Sequence, residues 1–467
     1  ARAQDWTTAG YDAQRSSWVR GDARISPDNL RKPGFQLLWK VKVEAEGAPI
    51  LLDLLIGDRG FRALGFVGGG ADHVVAVDTD LGRIEWQRRL TAPPGAGSPS
   101  CAAALAPNVA RPTNAALPVA GYGRRGGEAA RSAVGEPSQG AVTLAAAAAR
   151  RSEAALALPP VAPKPSRPRA SPHPFAILYV LSSDGALHLL NVMDGADAEP
   201  PVPFVPPDAD ARGLIVVDDV AYVATTGRCG KAPTGVWALD LGTKQVTMWR
   251  APAEIAGSLG PAIGPDGTIY VATTVGELSA LQPQTLAPKG VYRSGGAAFT
   301  SSPVIFEHHG SMLIAAAMRD GRIQLLDGAR LASVGALASP TAGLGAGAVV
   351  SWADSGGTRW LLAPGRGGGV ALKVVEQDGA LAFQPGWTSR DMTPLGPVVI
   401  SGVIFAASGG RGSPSRLYAL DGATGQELWN SGAAIGSVAR GLSGESGQVY
   451  VGTNDGTLYA FGFPMEH

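Results

Sequence analysis

Charge is scarce in this sequence, and cysteine is scarcer. Of 467 residues only 17% are charged, and 39 Lys+Arg balance 39 Asp+Glu. A chain without a basic excess has no counterion-release drive toward nucleic acid, so no nucleic-acid partner is expected. No run of about 18 apolar residues occurs, which excludes a membrane-spanning helix. The six histidines show no His-x-x-x-His spacing, and there is no Cys-x-x-Cys, so neither zinc nor another structural metal is expected. A haem-attachment motif, a Gly-x-Ser-x-Gly elbow and a phosphate-cradling loop are missing too. Gly367-Gly368-Gly369 reads as turn material. No catalytic residue is assigned. The two cysteines, Cys101 and Cys229, fit one disulfide in an oxidising compartment or two buried thiols.

Glycine and proline are abundant, at 64 and 36, as expected for many short strands joined by tight turns. The strands repeat. Gln448 to Phe461 places two alternating runs around Asn454-Asp455-Gly456, a hairpin signal because such a turn needs positive φ. Ile269 to Leu281, Leu178 to Leu190 and Leu313 to Asp327 have the same shape. A second half-repeat runs from Leu417-Tyr418-Ala419-Leu420-Asp421 through Thr424-Gly425 to Trp429. Val75 to Trp86 matches it position by position, and Val236 to Trp249 is a third copy. Copies fall mostly about 35 to 50 residues apart, the period of a four-stranded propeller blade.

The expected fold is therefore all-β: an eight-bladed β-propeller of four-stranded antiparallel blades, forming one domain over 1–467. The blades fall near 46–92, 98–205, 213–250, 258–293, 299–335, 344–388, 395–430 and 440–463. The last copy lacks its tryptophan strand, and an orphan one stands at Phe35 to Val43. Pairing of these N- and C-terminal strands closes the ring and hides both edges. An N-terminal extension, 1–34, precedes the ring. A low-complexity insertion, 108–172, rich in Ala, Pro, Arg and Gly, interrupts blade 2 on the face carrying the hairpin turns; it is either a tolerated surface insertion or a partner-binding arm.

In such a ring the loops before each innermost strand and those between second and third strands share one face. They surround the central channel, the default ligand site. Arg228, Arg319, Arg366, Arg390, Arg411 and Arg440 fall there, with Asp320, Asp391, Asn454 and Asp455. Converging guanidinium groups suit a carboxylate ligand or an acidic peptide; polar turns that pair among themselves are the alternative. Cys101 and Cys229 fall in loops of adjacent blades on this face, so a bridge between them is geometrically open. The chain opens on Ala1 followed by Arg2-Ala3-Gln4-Asp5-Trp6, which reads as a mature chain after signal-peptide removal, hence periplasmic or secreted. Its first residue is not the cysteine of a lipid anchor.

The pattern Tyr-Val-Gly-x-x-Asp-Gly-x-Leu-Tyr-Ala-Leu-Asp followed by Thr-Gly-x-x-x-Trp resembles the pyrroloquinoline-quinone (PQQ) type propeller repeat. The opening Asp5-Trp6-Thr7-Thr8-Ala9-Gly10, with Tyr11-Asp12, Arg15-Ser16-Ser17, Ile25-Ser26-Pro27 and Leu37-Leu38-Trp39, looks like that of PQQ alcohol dehydrogenases. The ending Tyr-Ala-Phe-Gly-Phe-Pro is similar to that of PQQ-like propellers from environmental bacteria. Quinone-binding relatives typically carry adjacent cysteines, a tryptophan floor and acidic residues for calcium, and this chain has no adjacent cysteines. Non-catalytic relatives work through protein contacts. The resemblance thus implies a protein-binding or assembly scaffold without a resident cofactor. The alternatives are a quinoprotein alcohol or sugar dehydrogenase using PQQ with calcium, or a small-molecule binder at the channel.

Overall fold

The computed structural model describes residues 5–45, 47–57, 60–91, 108–110, 176–227, 230–338, 348–365, 368–377, 379–389, 396–408 and 413–464. Their strands form eight four-stranded antiparallel blades in a propeller ring. Blade 1 runs outward from Ile50–Gly57 to Arg83–Arg89, blade 2 from Asn108–Ala110 to Asp197–Pro203, and blade 3 from Asp210–Val217 to Val246–Arg250. Blade 4 spans Ala262–Ile263 to Pro288–Arg293, blade 5 Val304–His308 to Ala332–Ala338, blade 6 Val350–Ala353 to Ala380–Ser389, and blade 7 Val398–Ile400 to Glu427–Asn430. Blade 8 is composite. Its three inner strands, Ala439–Glu445, Gln448–Thr453 and Thr457–Gly462, come from the C-terminal end, and its outermost strand, Gln36–Lys42, comes from the other.

That closure is the one the orphan tryptophan strand predicts. Gln36 pairs with Gly462, Trp39 with Ala460 and Lys42 with Thr457, with a bulge between Leu37 and Trp39. One hydrophobic cluster crosses the seam, joining Phe35 and Val43 to Tyr459 and Phe461. The insertion boundary shifts. Asn108–Ala110 is the innermost strand of blade 2, pairing with Ile177–Leu181, so the low-complexity stretch leaves the blade after Ala110 and not before Asn108. Residues 111–175 lie outside the described residues. The innermost strand of blade 3 likewise begins at Asp210, ahead of the expected 213.

Middle strands such as Val220–Thr226 and Gln448–Thr453 are buried at every position, because neighbouring blades cover both faces. Outermost strands such as Arg83–Arg89 alternate between half-buried and exposed, as a strand with one open face should.

The turn between third and fourth strands explains the second half of the repeat. An aspartate closing the third strand caps it: Asp78 Oδ1 accepts from the Asp80 and Leu81 amides, Asp240 from Gly242 and Thr243, and Asp421 from Ala423 and Thr424. A left-handed residue ends the turn, with Gly82 at φ +66, Gly195 at +71 and Gly425 at +73. On each of these glycines sits a tryptophan of the preceding blade. Trp39, Trp86 and Trp387 donate Nε1–H to the carbonyls of Thr79, Val192 and Gly422. Where the preceding blade lacks the tryptophan, the latch changes: Lys244, at φ +60, reaches Glu199 across the seam between blades 2 and 3 at 2.6 Å.

Candidate functional site

The inner strands of the ring are lined by the chain itself. Residues 5–22 run along the innermost strands and touch seven of the eight. Trp6 bridges Leu51 of blade 1 and donates its amide to Glu445 of blade 8, and Thr8 Oγ1 donates to Leu214 O of blade 3. The Ile263 amide of blade 4 donates to Ala13 O, Ile305 of blade 5 to Gln14 O, Ser351 of blade 6 to Ser16 O, and Val399 of blade 7 to Ser17 O. Trp18–Val19 then adds a fifth, parallel strand to blade 7, against Val399 and Ile400. The segment leaves toward the turn face, where Ser401 and Gly447 amides donate to Val19 O and the Asp22 carboxylate. Innermost strands otherwise present unpaired edges to the channel, and here the extension satisfies them.

Arg15 holds this segment. It is 0% exposed; its Nε donates to Pro261 O, one terminal nitrogen to Thr8 Oγ1 and Ala9 O, and the other to Gly213 O. Burial pushes the guanidinium down to about 10, and Asp12 opposes that shift. Burial likewise raises Asp12, whose carboxylate accepts from the Ser16 amide and hydroxyl. The path needs Gly10, Tyr11, Arg15 and Ser17 in the left-handed region, which costs about 1–2 kcal/mol for each non-glycine. Arg15 is a structural anchor, since carbonyl dipoles already solvate its charge.

The loop-face residues divide. Asp320 is spent within its own turn, accepting from the Arg322 amide and Nε. Asp455 does the same with Thr453 and Thr457, whose hydrogen bonds hold its carboxyl below the usual range. Asn454 Oδ1 accepts from Ser437 Oγ and the Val438 amide. Arg319 occupies the same blade-5 turn as Asp320, and Arg440 lies exposed on the innermost strand of blade 8. Arg228, Arg366, Arg390, Asp391, Arg411, Cys101 and Cys229 lie outside the described residues. Asp320, Asn454 and Asp455 thus make local turn bonds of the kind the Asp-Gly spacing contains.

Two polar groupings on the loop side are not signalled by the repeat. A cleft of about 480 Å³ at the blade 8–blade 1 seam is lined by Lys42, Val43, Glu44, His73, Gln87, Arg88 and Arg89. Between blades 1 and 2, Ser182, His188 and Asp197 stand in the order of a hydrolytic triad: His188 Nε2 is 3.1 Å from Ser182 Oγ, and Nδ1 is 3.7 Å from Asp197 Oδ1. The second distance is too long for a hydrogen bond. Ser182 Oγ also bonds Asp184 and Ala186 O, and Arg88 claims the other Asp197 oxygen. With Ser182 and His188 5% and 4% exposed, the group is an interior brace.

Burial holds His188 below its ordinary value. A depressed folded-state value means that its contribution is present above about pH 6.5 and is lost as pH falls, because protonation favours the unfolded chain. Thermal melts from pH 8 to pH 5 are expected to show a steeper acid loss for the wild type than for His188→Gln. Parallel curves would exclude the role.

Similarity to known proteins is consistent with this geometry. Residues 236–462 match the family model described as outer membrane protein assembly factor BamB. Among solved structures, a quinohemoprotein alcohol dehydrogenase from Comamonas testosteroni is 15% identical with a TM-score of 0.63, covering 100% of this chain and 82% of its own. BamB from Moraxella catarrhalis is 13% identical with a TM-score of 0.53, covering 93% and 99%. A europium-containing methanol dehydrogenase is 12% identical with a TM-score of 0.57, covering 98% and 98%. At these identities the likeness shows the fold alone. No curated protein matches the chain.

Proposed function

The chain is a PQQ-like β-propeller repeat protein, and from that premise we propose that it is a non-catalytic scaffold offering its rim to partner proteins. The observation that carries this reading is the lining of the inner strands by the chain's own extension. Where a ligand would sit against the innermost strands, residues 5–22 already make those contacts, closed around Arg15. What the ring presents outward is loops, seams and turns. The family description, outer membrane protein assembly, is a role of this kind. In this reading the protein works in the periplasm or outside the cell, where Cys101 and Cys229 form a disulfide, and the 111–172 stretch is an arm for partners. No described helix is long and apolar enough to cross a membrane.

In this reading the quinone implied by the dehydrogenase relatives has no donor set among the described residues. Among them no group of three or more His, Cys, Asp or Glu is placed to hold a metal ion. The one parallel tryptophan stack, Trp352 on Trp360 at 5.8 Å, is buried in the cluster joining blades 6 and 7. It is no floor to a channel site, and no step through a quinone is derived.

Cross-linking in native cells followed by mass spectrometry tests the proposal. Partner chains linked to rim loops, and lost on deletion of 111–172, are expected. A monomer that links to nothing overturns the scaffold. A quinone absorption band with dye reduction by alcohols, after loading with PQQ and calcium, overturns its non-catalytic character.

A further inference from the structure

On the turn face, where the channel segment emerges, two arginines share one indole. Arg20 Cζ lies 5.0 Å from the Trp18 ring centroid and Arg359 Cζ 5.3 Å from the same centroid. Arg359 also lies over Phe306 and donates to Glu307 O at 2.8 Å. Trp18 and Arg20 come from the channel segment, whereas Arg359 opens the second strand of blade 6. Among the described residues neither guanidinium is ion-paired with a carboxylate, whereas Arg88 is paired with Asp197 and Arg212 with Asp210. Their proximity shows in the chemistry: burial first, and then the Arg20 charge, depresses Arg359.

The cluster continues into blade 5. His308 and His309 stack at 4.1 Å. His308 is 8% exposed, and its buried Nε2 has no hydrogen-bond partner among the described residues. Burial, His309 and Arg359 together hold it below its usual value. The nearby acids are turned elsewhere or stand further off: Glu307 Oε1 accepts from the Gly310 amide, and Glu376 acts on His308 only through its field. In a chain of zero net charge, two guanidinium groups outside any ion pair thus sit on one aromatic platform, open to solvent through exposed Arg20 and His309.

We propose that Trp18, Arg20 and Arg359, with His308 and His309, form a docking site for an acidic segment of a partner protein, whose carboxylates pair with the two guanidinium groups. The site rests on the scaffold reading and gives it a place on the ring. Each of these fork-shaped cations matches a carboxylate bidentately, and arginine with tryptophan is the composition that dominates binding energy at interfaces. An exposed turn face suits an extended chain over a small free acid.

Fluorescence anisotropy with a labelled octaglutamate peptide, at low and at high salt, tests this on the full chain. Binding that weakens with salt is expected, reduced at least tenfold by Arg20→Glu and about threefold by Arg359→Lys. Lys40→Glu, on the outermost strand of blade 8, is expected to leave it unchanged. Arg20→Glu should melt as the wild type does, since Arg20 is exposed. Equal weakening by Arg20→Glu and Lys40→Glu, or no peptide binding, overturns the site. Glutarate binding as tightly as the peptide overturns its assignment to a chain. If cross-linked partners persist undiminished in Arg20→Glu, this site fails while the scaffold stands; if no partner is found at all, the scaffold itself fails.

Discussion

Arg15→Leu is expected to cost about 4 kcal/mol of stability and to loosen the channel segment before the ring opens. The leucine fills much of the volume but leaves Pro261 O, Ala9 O and Gly213 O without a donor in a site closed to water. Each stranded buried acceptor costs about 1–3 kcal/mol, so three cost about 3–9 kcal/mol together, and partial relaxation brings the sum toward the low end. The four bonds also tie blade 3 to blade 4 through one side chain, so their loss frees the left-handed turns at Tyr11 and Ser17 to relax out of the channel. Hydrogen exchange should report that order, with early exchange at the Ile263, Ile305 and Val399 amides, which donate to the segment. Arg15→Lys retains the charge but offers one nitrogen in place of three, and about half the loss is expected. Denaturant melts of both variants check this. Unchanged midpoints with unchanged exchange would show that the segment is held without its guanidinium.

The ring was legible because its evidence is local and repeated. The Asp-Gly hairpins and the Thr-Gly-x-x-x-Trp half-repeats each report a turn that needs only a few consecutive residues, and the orphan strand at Trp39 found its partner by elimination. The channel segment was not legible. Its contacts join Trp6 to Glu445 and Asp22 to Gly447, it has no hydrophobic period, and three of its four left-handed positions are not glycine. The arginines at the mouth were out of reach for the same reason, since Arg20 and Arg359 meet only through Trp18, whose place depends on the parallel pairing with blade 7. Asp320 and Asp455 show the reverse case. Their position on the loop face made them candidates for binding, while the spacing to Arg322 and Thr457 already contained the turn bonds that occupy them.

The ring closes non-covalently where Gln36–Lys42 joins blade 8, and the latch of that strand onto blade 1 makes the other large prediction. A Cβ at Gly82 would lie 2.5 Å from the Trp39 indole, at a backbone φ of +66. Gly82→Ala therefore combines about 1–2 kcal/mol of left-handed strain with displacement of the ring from Thr79 O, for a total of about 3 kcal/mol. Trp39→Ala is expected to cost about 3 kcal/mol, near the low end for a buried tryptophan because Trp39 is only half-buried. The two losses should not add. Once the indole is gone the alanine meets open space, and Gly82→Ala in the Trp39→Ala background is left with the strain alone, so the cycle yields a coupling of about 1–2 kcal/mol. The same substitution at Gly425, whose Cβ would lie 2.5 Å from Trp387, is the control within one continuous chain. The folded-state clash and the sequence separation are alike at both seams, but the Trp39 strand pairs with Thr457–Gly462 from the far end of the sequence, whereas the Trp387 strand pairs with its neighbour Gly368–Gln377. Proteolysis should therefore release the 36–42 strand in Gly82→Ala and leave the blade 6–blade 7 seam of Gly425→Ala intact. Equal resistance in the two variants would mean that the extended pairing of Gln36–Lys42 with Thr457–Gly462 holds the seam without the tryptophan.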